Sequence, residues 1–150
     1  MSALLGHVGA WAPRAEQVAT VALLDDTQAI TEYQQRFLAG VQSRLDLLHG
    51  GLQSMKAAGL PVESIAPMGA IYLTARFDLF GRRGPDGLEL RTNDDVRRYL
   101  LEAAHFAVVP FQAFGVEGDS GWFRLSIGAV SEQDIRVALP QLAAALEALR

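Results

Sequence analysis

A long run of regularly spaced apolar residues is the feature that most constrains the fold of this chain. Apolar positions recur at steps of three and four: Ile30, Tyr33, Phe37, Val41, Leu45, Leu48, Leu52 and Met55. This spacing predicts one long helix of about eight turns over residues 28–58. Gly59 follows as a stop signal, because glycine readily takes the left-handed conformation that ends helices.

Three further helices are predicted from capping and periodicity. Pro13 suits the start of a helix that runs to about Asp25. Asn93 is a plausible cap for a helix over residues 94–104. Ser131, followed three residues later by Asp134, resembles a capping box that opens the final helix.

Strands are predicted between these helices. Residues 70–77 have a strand composition, and residues 107–109 form a short apolar run that Pro110 should end. The segment 80–91 holds three glycines and a proline, so it is predicted to be a loop or a protruding hairpin. Strands that interleave with helices predict an α+β fold, with a small mixed or antiparallel sheet packed with helices and preceded by the long helix.

Residues 122–127 alternate between two faces of a predicted strand. One face carries Trp122, Arg124 and Ser126, and the other carries Phe123, Leu125 and Ile127. Arg124 is thus presented from the middle of a rigid element. A planar guanidinium suits a carboxylate, which it can hold through two parallel hydrogen bonds. The alternative is that Arg124 is a solvent-facing residue paired with a nearby acid.

Composition bounds the class of protein. The 150 residues are one domain's worth, with 50% hydrophobic and 20% charged residues, as in soluble globular proteins. A net charge of -4 argues against nucleic acid as a partner. The absence of cysteine removes disulfides and thiolate chemistry. No signal peptide and no apolar run of ~20 residues are visible, so we expect a cytoplasmic protein with no membrane partner.

Residue chemistry offers no catalytic group and no metal site. His7, His49 and His105 lack metal-ligand spacing to one another. Glu117 and Asp119 are too few oxygen ligands for a cation, and an ordinary acidic loop is the better interpretation. The single lysine, Lys56, lies in the long helix beside its apolar face, and its amine is expected to reach water.

Three motifs in order carry a resemblance. They are PMGAIYL (67–73), HFAVVPFQAFG (105–115) and WFRLSIGAVSEQDI (122–135). This order resembles the C-terminal small domain of the class I/II aminotransferases, the fold-type I enzymes that use pyridoxal phosphate. The stretch 9–24 resembles the family's segment after the cofactor lysine, and the long helix resembles its connector between domains.

The resemblance implies roles for two residues. Arg124 matches the arginine that binds the substrate's α-carboxylate. Trp11 lies in a loop similar to one that borders the active site of the partner subunit in the family's dimer. Two departures are Ala12, where the family has asparagine, and Phe111, where it has glycine or serine.

The resemblance also implies an organisation. Residues 1–27 would be a remnant of the large domain, and residues 28–150 the connecting helix and small domain. The Schiff-base lysine and most cofactor contacts of the family lie before the matched region, so these 150 residues alone are expected to be inactive. The complete enzyme would be a homodimer that binds pyridoxal phosphate, an amino acid and a 2-oxo acid, and the small domain would close over the active site against the large domain.

Other functions stay open at this point. The chain could be a non-enzymatic α+β module that binds a ligand or partner, or the aminotransferase-like domain of a regulator. A sibling lyase or synthase of the same fold cannot be separated from an aminotransferase on these residues. The identity of the amino acid is equally open.

Overall fold

The computed structural model describes residues 2–9 and 12–150, and the chain divides into two units, Met1–Ala39 and Gly40–Arg150. Helix α3, Thr27–Ala57, contributes its first part to one unit and the rest to the other. This division concerns packing within the chain. The domain boundary between residues 27 and 28 that the resemblance implies stays a prediction.

The first unit is helical. It contains α1 (Ser2–Val8), α2 (Arg14–Asp25) and the start of α3. Pro13 is the N-cap of α2, and the Asp26 carboxylate accepts a hydrogen bond from the Ala29 N–H at 3.0 Å. Helix α2 has no buried residue. The large apolar side chains exposed in this unit are Leu4, Val18, Val21, Leu23, Leu24, Tyr33, Phe37 and Leu38.

The second unit contains a four-stranded antiparallel sheet. Its strands are β1 (Val62–Ser64), β2 (Tyr72–Phe77), β3 (Val109–Pro110) and β4 (Trp122–Ser126). Their spatial order is β1-β2-β4-β3, so β2 and β4 are central. Pro110 is the last residue of β3, where it pairs with Phe123, so the strand ends at this proline as expected, although it starts only at Val109. Strand β3 is an edge strand, where the missing N–H of proline breaks no ladder.

Two helices with capping boxes complete this unit, α4 (Asn93–Ala104) and α5 (Glu132–Glu147). The capping box at Ser131 and Asp134 is confirmed. At α4 the cap is Thr92, which pairs with Asp95, so the prediction of Asn93 as the cap was wrong. The buried core draws on α3, the sheet, α4 and α5, and Phe77 meets Phe123 edge to face with ring centroids 5.9 Å apart.

The segment 80–91 folds back on itself as expected for a hairpin. The Gly81 N–H donates to the Leu90 carbonyl at 2.8 Å, and Arg83 bridges Glu89 across the turn. Arg83 and Arg150 exchange both backbone hydrogen bonds. The predicted α+β class with a small antiparallel sheet is confirmed. Within the described ranges, no helix has the length and apolar character needed to cross a membrane.

Candidate functional site: an arginine held between two aromatic rings

Arg124 lies on the face of the sheet that the core leaves open. Its cross-strand neighbours are Thr74 on β2 and Val109 on β3. Phe123 and Leu125, on either side of it along β4, are buried in the core. The alternation predicted from the sequence therefore separates the strand into a core face and an open face, with a half-buried Arg124 on the latter.

Two aromatic rings sandwich the Arg124 guanidinium. Its central carbon lies 4.2 Å from the ring centroid of Tyr72 and 4.0 Å from that of Phe114. Tyr72 begins β2, whereas Phe114 ends a 3-10 turn, Phe111–Phe114, that follows β3. A cation over an aromatic face gains about 0.5–1 kcal/mol at exposed sites and more when desolvated. Both rings therefore contact the guanidinium and restrict the freedom of the Arg124 side chain.

No carboxylate of the described residues pairs with Arg124. Ion pairs elsewhere in the described chain engage Lys56 and several arginines, for example Arg97 with Asp94 at 2.7 Å. For Arg124 the described residues provide neither an ion pair nor a side-chain hydrogen bond. The alternative interpretation requires an acid that neutralises Arg124, and the described part of the chain provides none.

A buried hydrogen-bond network fixes the loop beside this arginine. Asn93 is 1% exposed, and its side-chain amide donates to Gln112 at 2.7 Å and accepts from the Gly121 N–H at 2.9 Å. Asp119 accepts from the Asn93 N–H at 2.7 Å and from the Gln112 amide at 3.0 Å. The acidic loop is thus part of a network, which its sequence did not reveal.

Gly121 is the point where this network meets the sheet. Its φ is +73°, and a Cβ there would lie 3.1 Å from the Phe77 carbonyl oxygen. The Phe77 N–H in turn donates to the Gly121 carbonyl at 2.9 Å. Glycine is therefore required both by the backbone conformation and by the close approach of β2.

The other residues singled out from the sequence have contacts of their own or lie outside the described residues. Trp11 lies outside the residues that the structure describes. Lys56 forms an ion pair with Glu63 at 2.9 Å, and its hydrogen bond and charge lower the pKa of that carboxyl. His49 shares a hydrogen bond of 2.8 Å with the Ser64 hydroxyl, and His105 ends α4 in a left-handed conformation. No histidine–carboxylate group able to hold a metal ion occurs in residues 2–9 and 12–150.

Lys56 does not have the setting that covalent attachment of pyridoxal phosphate needs. Covalent attachment of that cofactor needs a lysine amine in a pocket. The single lysine instead pairs with Glu63, and the Lys56 side chain is 52% exposed. The chemistry that these residues support is recognition of a carboxylate, and no step on a cofactor follows from them.

Sequence reasoning placed Arg124 on the open face of its strand but missed the aromatic rings that contact it. Tyr72 and Phe114 lie 52 and 10 residues from Arg124 in the chain, so no local pattern links them. The signal that could have found them is positional: an aromatic residue at the start of the neighbouring strand, and another after the edge strand. Gln112 and Asn93 carry no such signal.

Comparisons with known proteins match this chain to one family. The family model for aminotransferase class I and II matches residues 6–142. An aspartate aminotransferase from Rhizobium meliloti (strain 1021) is 36% identical over 134 residues, which are 89% of this chain and 30% of that protein.

Solved structures agree. The crystal structure of the aspartate aminotransferase from Rhizobium meliloti aligns with a TM-score of 0.72 at 33% identity, over 89% of this chain and 31% of that chain. LysN, an α-aminoadipate aminotransferase from Thermus thermophilus solved with N-(5'-phosphopyridoxyl)-L-leucine, shares the fold, with a TM-score of 0.68 at 20% identity, over 97% of this chain and 34% of that chain. The chain thus spans about 30% of the length of its curated relative. It belongs to the class I and II aminotransferase family.

Proposed function

We propose that this chain supplies the α-carboxylate-binding part of a pyridoxal-phosphate-dependent aminotransferase. The observation that carries the proposal is Arg124, held between Tyr72 and Phe114 on the open face of the sheet with no acid beside it among the described residues. A guanidinium fork held in plane is suited to bidentate binding of the carboxylate shared by an amino acid and a 2-oxo acid.

Exposed apolar surface supports a second part of the proposal. The apolar side chains of α2 and early α3 are half to two-thirds exposed in this chain, including Val18, Leu24 and Phe37. Large exposed apolar side chains in this number are typical of a surface that another domain covers. We propose that this surface contacts the large domain of the same enzyme, because the curated relative is about three times as long as this chain. The complete enzyme is proposed to be a homodimer with Trp11 near the partner's site.

Domain closure gives Arg124 its part in the reaction. A carboxylate bound to the small domain and to the large domain at once favours the closed state, which excludes water from the reacting atoms. The chain's own contribution is to bind and orient the substrate. The cofactor and its lysine would come from the large domain.

The first test measures carboxylate binding by Arg124 directly. L-alanine and L-alaninamide differ only in the α-carboxylate, so we expect L-alanine alone to shift the Arg124 side-chain Nε–Hε signal in an NMR titration of the chain. Arg124→Lys keeps the charge but loses the bidentate fork, and binding should weaken about ten- to a hundredfold. Equal responses to the two probes, or unchanged affinity in Arg124→Lys, would remove carboxylate binding from Arg124.

The second test concerns activity. The 150-residue chain, mixed with pyridoxal phosphate, L-aspartate and 2-oxoglutarate, is expected to produce oxaloacetate no faster than buffer with the cofactor, because Lys56 is engaged by Glu63 on the surface. A coupled assay for oxaloacetate measures this. Turnover that disappears in Lys56→Met would contradict the proposal that the cofactor lysine lies elsewhere.

A further inference from the structure

We propose that Asn93 and Gln112 are positioning residues for the carboxylate site. Their hydrogen-bond network with Asp119 holds the 3-10 turn so that Phe114 stays on the Arg124 guanidinium. The inference rests on the proposed function, in which Arg124 binds the carboxylate, and it adds residues that do not touch the ligand. It concerns how the fork is kept in place.

The network joins both sides of the ring–guanidinium contact. Gln112 lies inside the 3-10 turn, two residues before Phe114. Gly121, which donates its N–H to the Asn93 side chain, directly precedes β4 and lies three residues before Arg124. One buried amide therefore ties the element that carries the ring to the strand that carries the cation.

Each hydrogen-bonding group of the Asn93 side chain that the network uses has a partner of good length. The amide donates at 2.7 Å and the carbonyl oxygen accepts at 2.9 Å, in a residue that is 1% exposed. A buried and satisfied polar network specifies one arrangement of its members, because any displacement leaves a desolvated group unpaired. The network thus holds the 3-10 turn in one position.

Capping of α4 explains one bond of the network but not the Asn93 side chain. Asp119 accepts from the Asn93 N–H, the first backbone donor of α4, at 2.7 Å, and the capping box joins Thr92 and Asp95 through bonds of 3.2 and 3.0 Å. Asn93 is directed away from its own helix, to Gln112 and Gly121. Its side chain serves the loop and the turn beside the site.

A released turn would weaken carboxylate binding without removing any contact to the ligand. Arg124 would regain side-chain freedom in the free state, and ordering it again costs about 0.5–1.5 kcal/mol on binding. We therefore expect affinity for L-alanine to fall about two- to tenfold. The Arg124 Nε–Hε signal, shielded by two ring faces, should move toward the position of an unstacked arginine.

The test uses Gln112→Met, which keeps the length of the side chain and removes its hydrogen bonds. Gln53→Met is the matched control. Gln53 donates a hydrogen bond to the Ser64 carbonyl at 2.9 Å, and Ser64 lies in β1, the edge strand opposite β3. We expect Gln112→Met to shift the Arg124 signal and to weaken L-alanine binding, with backbone signals of the core unchanged, and Gln53→Met to do neither. An unmoved Arg124 signal in Gln112→Met would overturn the inference.

A double-mutant cycle separates positioning from general destabilisation. Phe114→Leu should reproduce the shift and the affinity loss, and combining it with Gln112→Met should add little, because both act through the same ring. Fully additive losses would overturn the inference. If the unaltered chain does not bind L-alanine, the proposed function fails, and the Arg124 signal still decides whether Gln112 positions Phe114.

Discussion

A single added methyl group at Gly121 would disturb the geometry of the site. This glycine combines a positive φ, a Cβ position 3.1 Å from the Phe77 oxygen, and an N–H bonded to Asn93. Gly118 also has a positive φ, of +80°, but an added Cβ there would meet nothing within 4 Å. The pair separates the cost of backbone conformation from the cost of close approach.

At Gly121, alanine should therefore destabilise more than at Gly118. A left-handed conformation costs a non-glycine residue about 1–2 kcal/mol, so Gly118→Ala should lower the free energy of unfolding by about that amount. Gly121→Ala should cost more, since the Phe77 carbonyl must also move. Urea unfolding of both variants measures the difference, and equal losses would mean that the strands yield without cost.

Arg124 itself was predictable because alternation along one strand is a local property. Period-two spacing in residues 122–127 was enough to assign it to the open face. The stacking of Tyr72 and Phe114 on it depends on the pairing of strands distant in sequence, which local patterns do not encode. The same reason explains why Asn93 was interpreted as a cap and not as the centre of a buried network.

At the scale of elements, two capping boxes link stability to pH. A hydrogen bond from the Arg91 N–H, aided by the Thr92 side chain, lowers the pKa of Asp95 from the usual 3.8. Hydrogen bonds from the Ser131 backbone and hydroxyl lower the pKa of Asp134 in the same way. Both carboxylates favour the folded state when ionised, because the unfolded chain lacks these donors.

The sign of the pH dependence follows from these lowered values. The stabilisation is fully present above the unfolded pKa of 3.8 and is lost as pH falls through the lower folded pKa. Asp95→Asn combined with Asp134→Asn should therefore flatten the fall in stability below about pH 5. Urea unfolding across that range tests this.

Glu102→Gln is the control for the capping variants, because the described residues give Glu102 neither an ion pair nor a hydrogen bond. It should leave the pH profile of unfolding unchanged. A profile that is as steep in the double variant as in the unaltered chain would assign the acid sensitivity to other carboxylates.

Helices and strands were predicted correctly where their sequence signals depend on residues close together in the chain. The capping box at Ser131 and the long helix were both readable, because each depends on residues three or four apart. Pro110 was correctly expected to end its strand, but the strand starts at Val109 and not at Ala107, because its extent depends on pairing with β4. The edge position of Pro110 in β3 is a tertiary fact.

At the scale of the whole molecule, the burial that the described residues show is confined to the second unit. Among them, every core residue lies at or after Val41, and α2 contains no buried residue. Short helices without tertiary packing are marginal in water. The first unit should therefore contribute little to the stability of this chain.

A shortened chain that starts at Gly40 tests this directly. It keeps the buried positions of α3, from Val41 to Met55, so its free energy of unfolding should fall by less than about 1 kcal/mol. Hydrogen exchange of the 150-residue chain should show fast exchange in residues 14–25 and protection in β2 and β4. A loss of several kcal/mol on shortening would show that residues before Gly40 are part of the cooperative unit.

The two-faced central strand has a consequence for how such a protein can change over generations. Residues 123 and 125 are constrained by packing in the core, while residues 122, 124 and 126 are constrained only by what contacts the open face. Selection can therefore change the open-face residues of β2 and β4 with little penalty in folding. A substitution library restricted to Tyr72, Thr74, Trp122 and Ser126 would explore new specificities on an inherited scaffold.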